Sequence, residues 1–172
     1  TSTYPWVIKT QVLLSSSFFL NKEKLAASVN DSASLGWFPQ NASIYSPVAH
    51  ELGHYLSFLA MMKSYSMNSL LLIDGKNVQT FYQVMNDFAK GNYSLSLLQR
   101  AYERSLNELH HQMTFDEWRK TISGYALAKD SRGDYIYDET IAEAFHDVYL
   151  NGSSATPASR YIVDELKESL ES

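Results

Sequence analysis

The 172-residue chain contains no cysteine. Disulfide bonds and thiolate metal sites are therefore excluded, and any zinc ion would have to be held by His, Asp or Glu side chains. Basic residues are also few, since 14 Lys and Arg stand against 19 Asp and Glu and give a formal net charge of −5. Nucleic-acid-binding domains are usually basic, so the composition argues against a nucleic-acid partner.

Long apolar runs are missing as well. No stretch approaches the roughly 20 apolar residues of a membrane-spanning helix, and the apolar run Val12–Leu20 is interrupted by three serines at 15–17. Apolar residues nevertheless make up 45% of the chain and charged residues 19%. These fractions are typical of globular proteins and not of disordered ones. We therefore expect residues 1–172 to form one folded domain with no membrane span.

Local patterns predict a mostly helical chain. The segment Tyr4–Leu20 is the exception, because it is rich in Val, Ile, Thr, Tyr and Phe, which favour strands. Thr114 and Glu117 form a capping box that opens a helix, and Asp138 is expected to cap a later one. The predicted fold is α+β, with a small N-terminal mixed sheet and helices at about Lys22–Val29, Pro47–Lys63, Val78–Lys90, Leu95–Gln112, Phe115–Ser123, Glu139–Leu150 and Pro157–Leu170.

The clearest chemical signal is the sequence VAHELGHYLS at 48–57. On a helix, His50 and His54 project from one face about a turn apart, so that both rings can bind one ion. Glu51 lies beside His50, where it can reach a metal-bound water without ligating the metal. This is the His-Glu-x-x-His arrangement of zinc metalloproteases. Because a glycine inside a helix costs about 1 kcal/mol relative to alanine, we expect Gly53 to permit a close packing contact.

Two histidines leave the site one protein ligand short, since catalytic zinc takes three protein ligands and a water. The metzincin pattern is excluded, because Ala60 stands where that pattern requires a histidine. Ala142 and Ala144 flank Glu143, and small neighbours allow another helix to approach closely. The candidate ligands further along the chain are His110, His111, Glu139, Glu143, His146 and Asp147.

Together these residues resemble the gluzincins, zinc peptidases whose third ligand is a Glu on a later helix. The resemblance implies a zincin-like fold in which Zn²⁺ is held by His50, His54 and Glu143. It also implies that Asp147, four residues after Glu143, supports a ligating histidine, for which His50 is the expected partner. Glu139 and His146 remain alternatives for the third ligand. The long separation of His54 and Glu143 implies a helical insertion at about 65–120.

A narrower resemblance rests on the segments GWFP, ISGYA and ETIAEAFHDVYLNG. They are similar to segments of the zincin-like domains carried by some phage minor head proteins and related toxins. This similarity implies that Ser123, Tyr125 and Ala126 form part of the wall of the site.

The implied function is zinc-dependent peptide-bond hydrolysis of a peptide or protein substrate, with Glu51 activating the zinc-bound water. Tyr135 and Tyr137 lie shortly before the third ligand and are the expected donors to the oxyanion, with Tyr125 as a third choice. The alternative is a non-catalytic module of a phage or toxin protein, in which zinc only holds helices together. Glu51 favours catalysis, because a purely structural site has no need of it.

Overall fold

The computed structural model describes residues 13, 15–39, 41–67 and 85–171. Residues 85–89 are helical, and short 3-10 turns occupy Tyr125–Leu127 and Gly152–Ser154. The α-helices, in chain order, are α1 Ser16–Phe19, α2 Lys22–Ser34, α3 Ser46–Met67, α4 Asn92–Leu109, α5 Phe115–Lys120, α6 Tyr137–Asn151 and α7 Pro157–Glu171.

The predicted N-terminal sheet is wrong. The described residues contain no β-strand, and their only bridge pair joins Lys129 to Tyr135. Within the segment predicted as strands, Ser16–Phe19 is helical instead, while residues 1–12 and 14 lie outside the described part of the chain. Phe and β-branched residues are common in strands mainly because they pack well on a half-buried surface, and less because their backbone prefers the extended conformation. Their enrichment here therefore predicted a strand that the described residues do not form.

The predicted helices agree better with the structure. The capping box is confirmed, since Thr114 and Glu117 bond each other's backbone at the start of α5. The predicted cap by Asp138 is wrong: the N-cap of α6 is Ile136, which makes no side-chain capping bond. The carboxylate of Asp138 is instead occupied by His54. Much of the predicted helix at 78–90 lies outside the described residues.

Helices α3 and α6 cross at very close range, and this crossing positions the site. A Cβ atom built on Gly53 would lie 2.6 Å from Ala142 Cα and 3.0 Å from Ala142 O. Contacts this short with backbone atoms cannot be relieved by a side-chain rotation, so glycine alone fits. The expectation that Gly53 permits close packing is confirmed. Helices α4 and α7 complete the core, whose buried apolar residues are Ala60, Leu97, Leu98, Ala101, Trp118, Ile122, Ala126, Ile141, Ala144, Ala158, Ile162 and Leu166.

A fully buried arginine fixes the turn Tyr125–Leu127 against α6. Arg119 Nε donates to Thr140 Oγ1 at 3.1 Å, and Arg119 Nη2 donates to the carbonyl of Ala126 at 3.0 Å. Its third partner is Asp116 Oδ1, at 3.1 Å from Nη1. A buried guanidinium needs such partners because its desolvation is costly. Arg119 therefore joins α5 to the turn Tyr125–Leu127 and to α6, through partners 7 and 21 residues along the chain.

The region predicted as a helical insertion, about 65–120, is partly described. Its described part holds the end of α3, the helical residues 85–89 and helices α4 and α5. Among the helices that the structure describes, none is long and apolar enough to cross a membrane. This agrees with the expectation drawn from composition.

Candidate metal centre

His50 and His54 lie one turn apart on α3, as their spacing predicts. Their Nε2 atoms are 3.1 Å apart and their ring centroids 4.7 Å apart. His50 is buried, whereas the His54 side chain is 26% exposed. The two imidazoles thus present one nitrogen each to a common point at the edge of the protein.

Glu139 on α6 supplies a third atom at this point. Its Oε2 lies 3.1 Å from His50 Nε2 and 3.4 Å from His54 Nε2. With the 3.1 Å between the two nitrogens, the three atoms form a nearly equilateral triangle. In a tetrahedral site with zinc–ligand bonds of about 2.0–2.1 Å, neighbouring ligand atoms are separated by about 3.3 Å. The triangle therefore has the size of one face of a zinc coordination tetrahedron.

Glu143 lies behind His50 and does not reach this triangle. Its Oε1 is 2.7 Å from His50 Nδ1, the nitrogen on the other side of the ring. The structure thus places Glu139 where the sequence predicted Glu143, one helical turn earlier. The two glutamates share a face of α6, and sequence spacing does not tell which of them the crossing with α3 brings to the histidine pair.

Asp147 is not brought to His50. Its Oδ2 accepts hydrogen bonds from Thr156 N at 2.9 Å and Thr156 Oγ1 at 3.0 Å, and its Oδ1 accepts from Asn151 Nδ2 at 2.7 Å. Asp147 therefore holds the connection between α6 and α7. The support of His50 that the sequence assigned to Asp147 comes from Glu143.

Each histidine has a carboxylate at Nδ1: Asp138 Oδ2 lies 2.5 Å from His54 Nδ1, and Glu143 Oε1 lies 2.7 Å from His50 Nδ1. A neutral imidazole donates from one nitrogen and accepts at the other. Carboxylates at both Nδ1 atoms therefore leave lone pairs on both Nε2 atoms. Glu139 Oε2 is buried and has no hydrogen bond within the described residues. With both imidazoles neutral, three acceptor atoms thus face one another, and either a cation between them or protons on the two Nε2 atoms would satisfy them.

The pKa values of these groups report an excess of negative charge. Burial works to lower the pKa of His50, but Glu139 and Glu143 outweigh it and raise that pKa to about 9. For His54, burial is likewise outweighed by Asp138 and Glu139, and the pKa rises to about 10. Burial would raise the pKa of Glu139, yet the two imidazoles lower it to about 2. The metal-free protein therefore balances its carboxylates with protons on both histidines, and a divalent cation would replace those two charges.

A second group, formed by His50, Glu143 and His146, could also hold a metal by its distances. All three residues are buried, and neither ring nitrogen of His146 has a hydrogen-bond partner within the described residues. The 2.7 Å between His50 Nδ1 and Glu143 Oε1 is a hydrogen-bond distance. The three residues are at most 8% exposed, whereas a catalytic site needs an open position for a water ligand. Glu143 and His146 are therefore better explained as residues that hold His50 in place than as ligands of an open metal centre.

Two further residues of the expected site, Glu51 and Tyr125, lie near His50. Glu51 follows His50 on α3 and is exposed. The Tyr125 ring centroid is 5.8 Å from that of His50. The Trp37 ring packs edge-on against the Tyr125 ring, with 6.2 Å between their centroids. Burial raises the pKa of Tyr125, and Glu139, Glu143 and Glu51 raise it further. The phenol is therefore protonated at neutral pH and able to donate.

The turn that carries Tyr125 is also joined to the loop before α3. Gly124 N donates to Gly36 O at 2.6 Å. A Cβ atom on Gly124 would lie 2.9 Å from that same oxygen, so the contact requires glycine at this position. The segment predicted to form a wall of the site, with Ser123, Tyr125 and Ala126, is thus held from two sides, by Arg119 and by Gly36.

Tyr135 and Tyr137 contact Arg119 instead of the histidines. The guanidinium carbon of Arg119 lies 4.7 Å from the Tyr135 ring centroid and 4.8 Å from that of Tyr137. The Tyr135 hydroxyl donates to Asp116 Oδ2 at 2.9 Å. Of the three tyrosines that the sequence offered, Tyr125 is the one whose ring contacts His50.

The sequence analysis missed Asp138 as the partner of His54. The sequence feature that could have pointed to a polar partner of His54 is Ser57, which follows His54 by three residues and so lies on the same face of the helix. Ser57 Oγ donates to Asp138 Oδ1 at 2.6 Å. Of the other candidate ligands, His110 is exposed and His111 Nε2 lies 3.0 Å from Ser105 Oγ. Among the residues that the structure describes, neither belongs to a group that could hold a metal.

Comparison with protein-family models, with curated proteins and with solved structures gave no match for this chain. A function must therefore be assigned from the geometry and chemistry of the site itself.

Proposed function

We propose that this protein is a zinc-dependent peptidase of the gluzincin type, with zinc held by His50, His54 and Glu139. The observation that carries the proposal is the triangle of His50 Nε2, His54 Nε2 and Glu139 Oε2, whose edges are 3.1, 3.1 and 3.4 Å. Two imidazoles and one glutamate are the protein ligands of catalytic zinc in several peptidases. Glu139 takes the place first expected for Glu143, which is engaged with His50 Nδ1.

The three protein ligands leave a fourth tetrahedral position for water. His54 and Glu139 are partly exposed, so solvent and substrate can reach that position from their side. When bound, zinc would lower the pKa of its water towards about 7 and polarise a carbonyl group. Glu143, at Nδ1 of His50, keeps that imidazole oriented for ligation through Nε2.

Glu51 is the proposed general base. It directly follows the proposed ligand His50 on the same helix and is exposed. Its carboxylate is therefore not one of the proposed ligands and stays accessible to water. In hydrolysis, Glu51 takes a proton from the attacking water and delivers it to the leaving amine. A structural zinc site would have no use for a carboxylate at this place.

Tyr125 is the proposed hydrogen-bond donor to the oxygen of the scissile carbonyl. Its ring contacts His50, its position is fixed by the Arg119 and Gly36 contacts, and its raised pKa keeps the proton on the phenol. Donors held in place before the reaction stabilise the charge that develops on such an oxygen. Tyr135 and Tyr137 are not proposed for this role, because both are packed around Arg119.

The proposal is tested by metal analysis of the purified protein followed by digestion of a peptide library. We expect one zinc per chain and cleavage that stops on chelation. Glu51→Gln is the matched variant: it should keep zinc and lose about 10²- to 10⁴-fold in kcat. If zinc raises the melting temperature while neither protein cleaves any peptide, the site is structural and the non-catalytic alternative holds.

A further inference from the structure

Asp138, the residue directly before the proposed ligand Glu139, receives three side-chain hydrogen bonds. Its Oδ2 is bonded to His54 Nδ1 at 2.5 Å. Its Oδ1 accepts from Ser57 Oγ at 2.6 Å and from Ser94 Oγ at 3.2 Å. One carboxylate oxygen of Asp138 is thus hydrogen-bonded to the histidine, and the other accepts from two hydroxyl groups.

The two serines fix the orientation of this carboxylate. Both are fully buried, and they belong to different helices, Ser57 to α3 and Ser94 to the first turn of α4. Buried hydroxyl groups are almost always hydrogen-bonded, so neither can be turned away from Asp138 without cost. The carboxylate is therefore set by the packing of α3, α4 and α6 before any ligand arrives.

We infer that Asp138 is a positioning residue of the metal centre, one that holds His54 with Nε2 directed at the metal and links that centre to α4 through Ser94. The inference rests on the proposed function. A carboxylate at Nδ1 fixes the tautomer of a ligating histidine and raises its basicity. His54 depends on this more than His50 does, because its side chain is partly exposed and is less confined by packing.

A simpler role for Asp138 must be separated from this one. An acidic residue in the first turn of a helix is stabilising through the helix dipole alone, and Asp138 lies in the first turn of α6. That role would affect the stability of the metal-free protein and leave the affinity for zinc unchanged. The two roles therefore predict different results for the same variant.

The test is the zinc affinity of Asp138→Asn, measured by competition with a chromophoric chelator, beside its melting temperature in excess chelator. Asparagine keeps the shape and an acceptor oxygen but removes the charge. We expect the affinity to fall about 10- to 100-fold. Asp134→Asn, an exposed carboxylate four residues earlier, is the control and should bind zinc as the wild type does.

Ser57→Ala provides a second variant that leaves the charge in place. It removes one of the two hydroxyls that hold Asp138 and should weaken zinc binding about 2- to 10-fold. It decides the question if Asp138→Asn does not fold. Its unchanged affinity would then overturn the inference.

The outcomes separate this inference from the proposed function. If the wild type binds zinc and Asp138→Asn binds it equally well, the positioning role is overturned and the peptidase proposal stands. If the wild type binds no zinc, both are overturned. Weaker zinc binding by Asp138→Asn supports the inference, because a role through the helix dipole alone would lower the melting temperature in chelator and leave the affinity for zinc unchanged.

Discussion

The two histidines of the motif are one helical turn apart but have opposite surroundings. On the inner side, His50 Nδ1 meets Glu143, which is fully buried beside the equally buried His146. The outer side comprises Glu51, His54, Tyr125 and Glu139, all of them exposed or partly exposed. Both histidines bond a carboxylate through Nδ1, so their local chemistry is alike and their burial is what differs.

This difference in burial implies different roles for the residues on the two sides of the site. Removing one member of a buried charged pair costs much stability, because the partner that remains is left unpaired. Groups that are exposed contribute little to stability but are the ones that a substrate can reach. We therefore expect changes on the inner side to weaken the fold and changes on the outer side to affect zinc and catalysis. The following predictions test this division, from the largest expected effect to the smallest.

Glu143→Ala is expected to have the largest effect on stability. It leaves His50 Nδ1 without its buried partner, and removing one member of a buried pair costs about 3–5 kcal/mol. Urea unfolding in excess chelator measures this loss without a contribution from zinc. Glu143→Gln, which keeps the volume of the side chain, should lose less. A loss below about 1 kcal/mol for Glu143→Ala would contradict the assigned role of the inner side.

Tyr125→Phe is expected to lower kcat about 10²- to 10³-fold, the usual effect of removing one oxyanion donor. Its melting temperature should stay close to that of the wild type, because only a hydroxyl on a partly exposed ring is lost. Tyr135→Phe serves as the control and should leave kcat unchanged, since its hydroxyl bonds Asp116. Equal losses of kcat in the two variants would remove Tyr125 from the mechanism.

Gly53→Ala is expected to lower the free energy of unfolding by about 1–3 kcal/mol, the usual cost of overpacking. The added methyl group meets Ala142 Cα at 2.6 Å, so α3 and α6 must separate and the metal triangle must widen. Alanine is the better helix former by about 1 kcal/mol, and a net gain of stability would show that the crossing yields easily. Zinc affinity, measured on the same sample, should fall as well.

The metal-free protein should lose stability as the pH rises. Protonated His50 and His54 have pKa values of about 9 and about 10, above the ordinary 6.5. Their contribution is complete below a pH of about 6.5 and disappears as the pH passes through the raised values. The melting temperature in chelator should therefore fall between a pH of about 6.5 and about 10. Saturating zinc should abolish this fall, because the ion replaces both protons; a fall of the same size with zinc would count against ligation by the histidines.

Glu51→Gln should have the smallest effect on stability, within about 0.5 kcal/mol, because Glu51 is exposed. Paired with its expected loss of activity, this variant gives the sharpest contrast with Glu143→Ala. Thermal melting of both variants in chelator makes the comparison. A large loss of stability in Glu51→Gln would mean that the outer side is also structural.

The sequence was informative wherever the interaction is local. The spacing of His50 and His54 on one helix and the capping box at Thr114 both depend on residues within one turn, and the structure contains both. The choice between Glu139 and Glu143 depends on how α3 and α6 cross. That crossing is set by the contact of Gly53 with Ala142. The helical periodicity of the sequence does not predict this contact.

Two errors have the same origin. The residue types up to Leu20 predict a strand because they report burial, although a strand also needs a partner that the sequence does not identify. The position of Asp138 predicts a helix cap, although its carboxylate is hydrogen-bonded to side chains 81 and 84 residues away in the chain. Long-range partners override local preference in both cases.

The hydrogen bond between Gly124 and Gly36 has a consequence for engineering. It joins two segments that are far apart in the sequence, beside the residue proposed to contact the substrate carbonyl. Lengthening either segment by a residue would displace Tyr125 from His50, so neither is a suitable place to graft new sequence. The exposed tip at 131–133, which is stabilised by its own bonds to Asp130, lies between the same turn and α6 and is the better insertion point for a reporter or affinity tag.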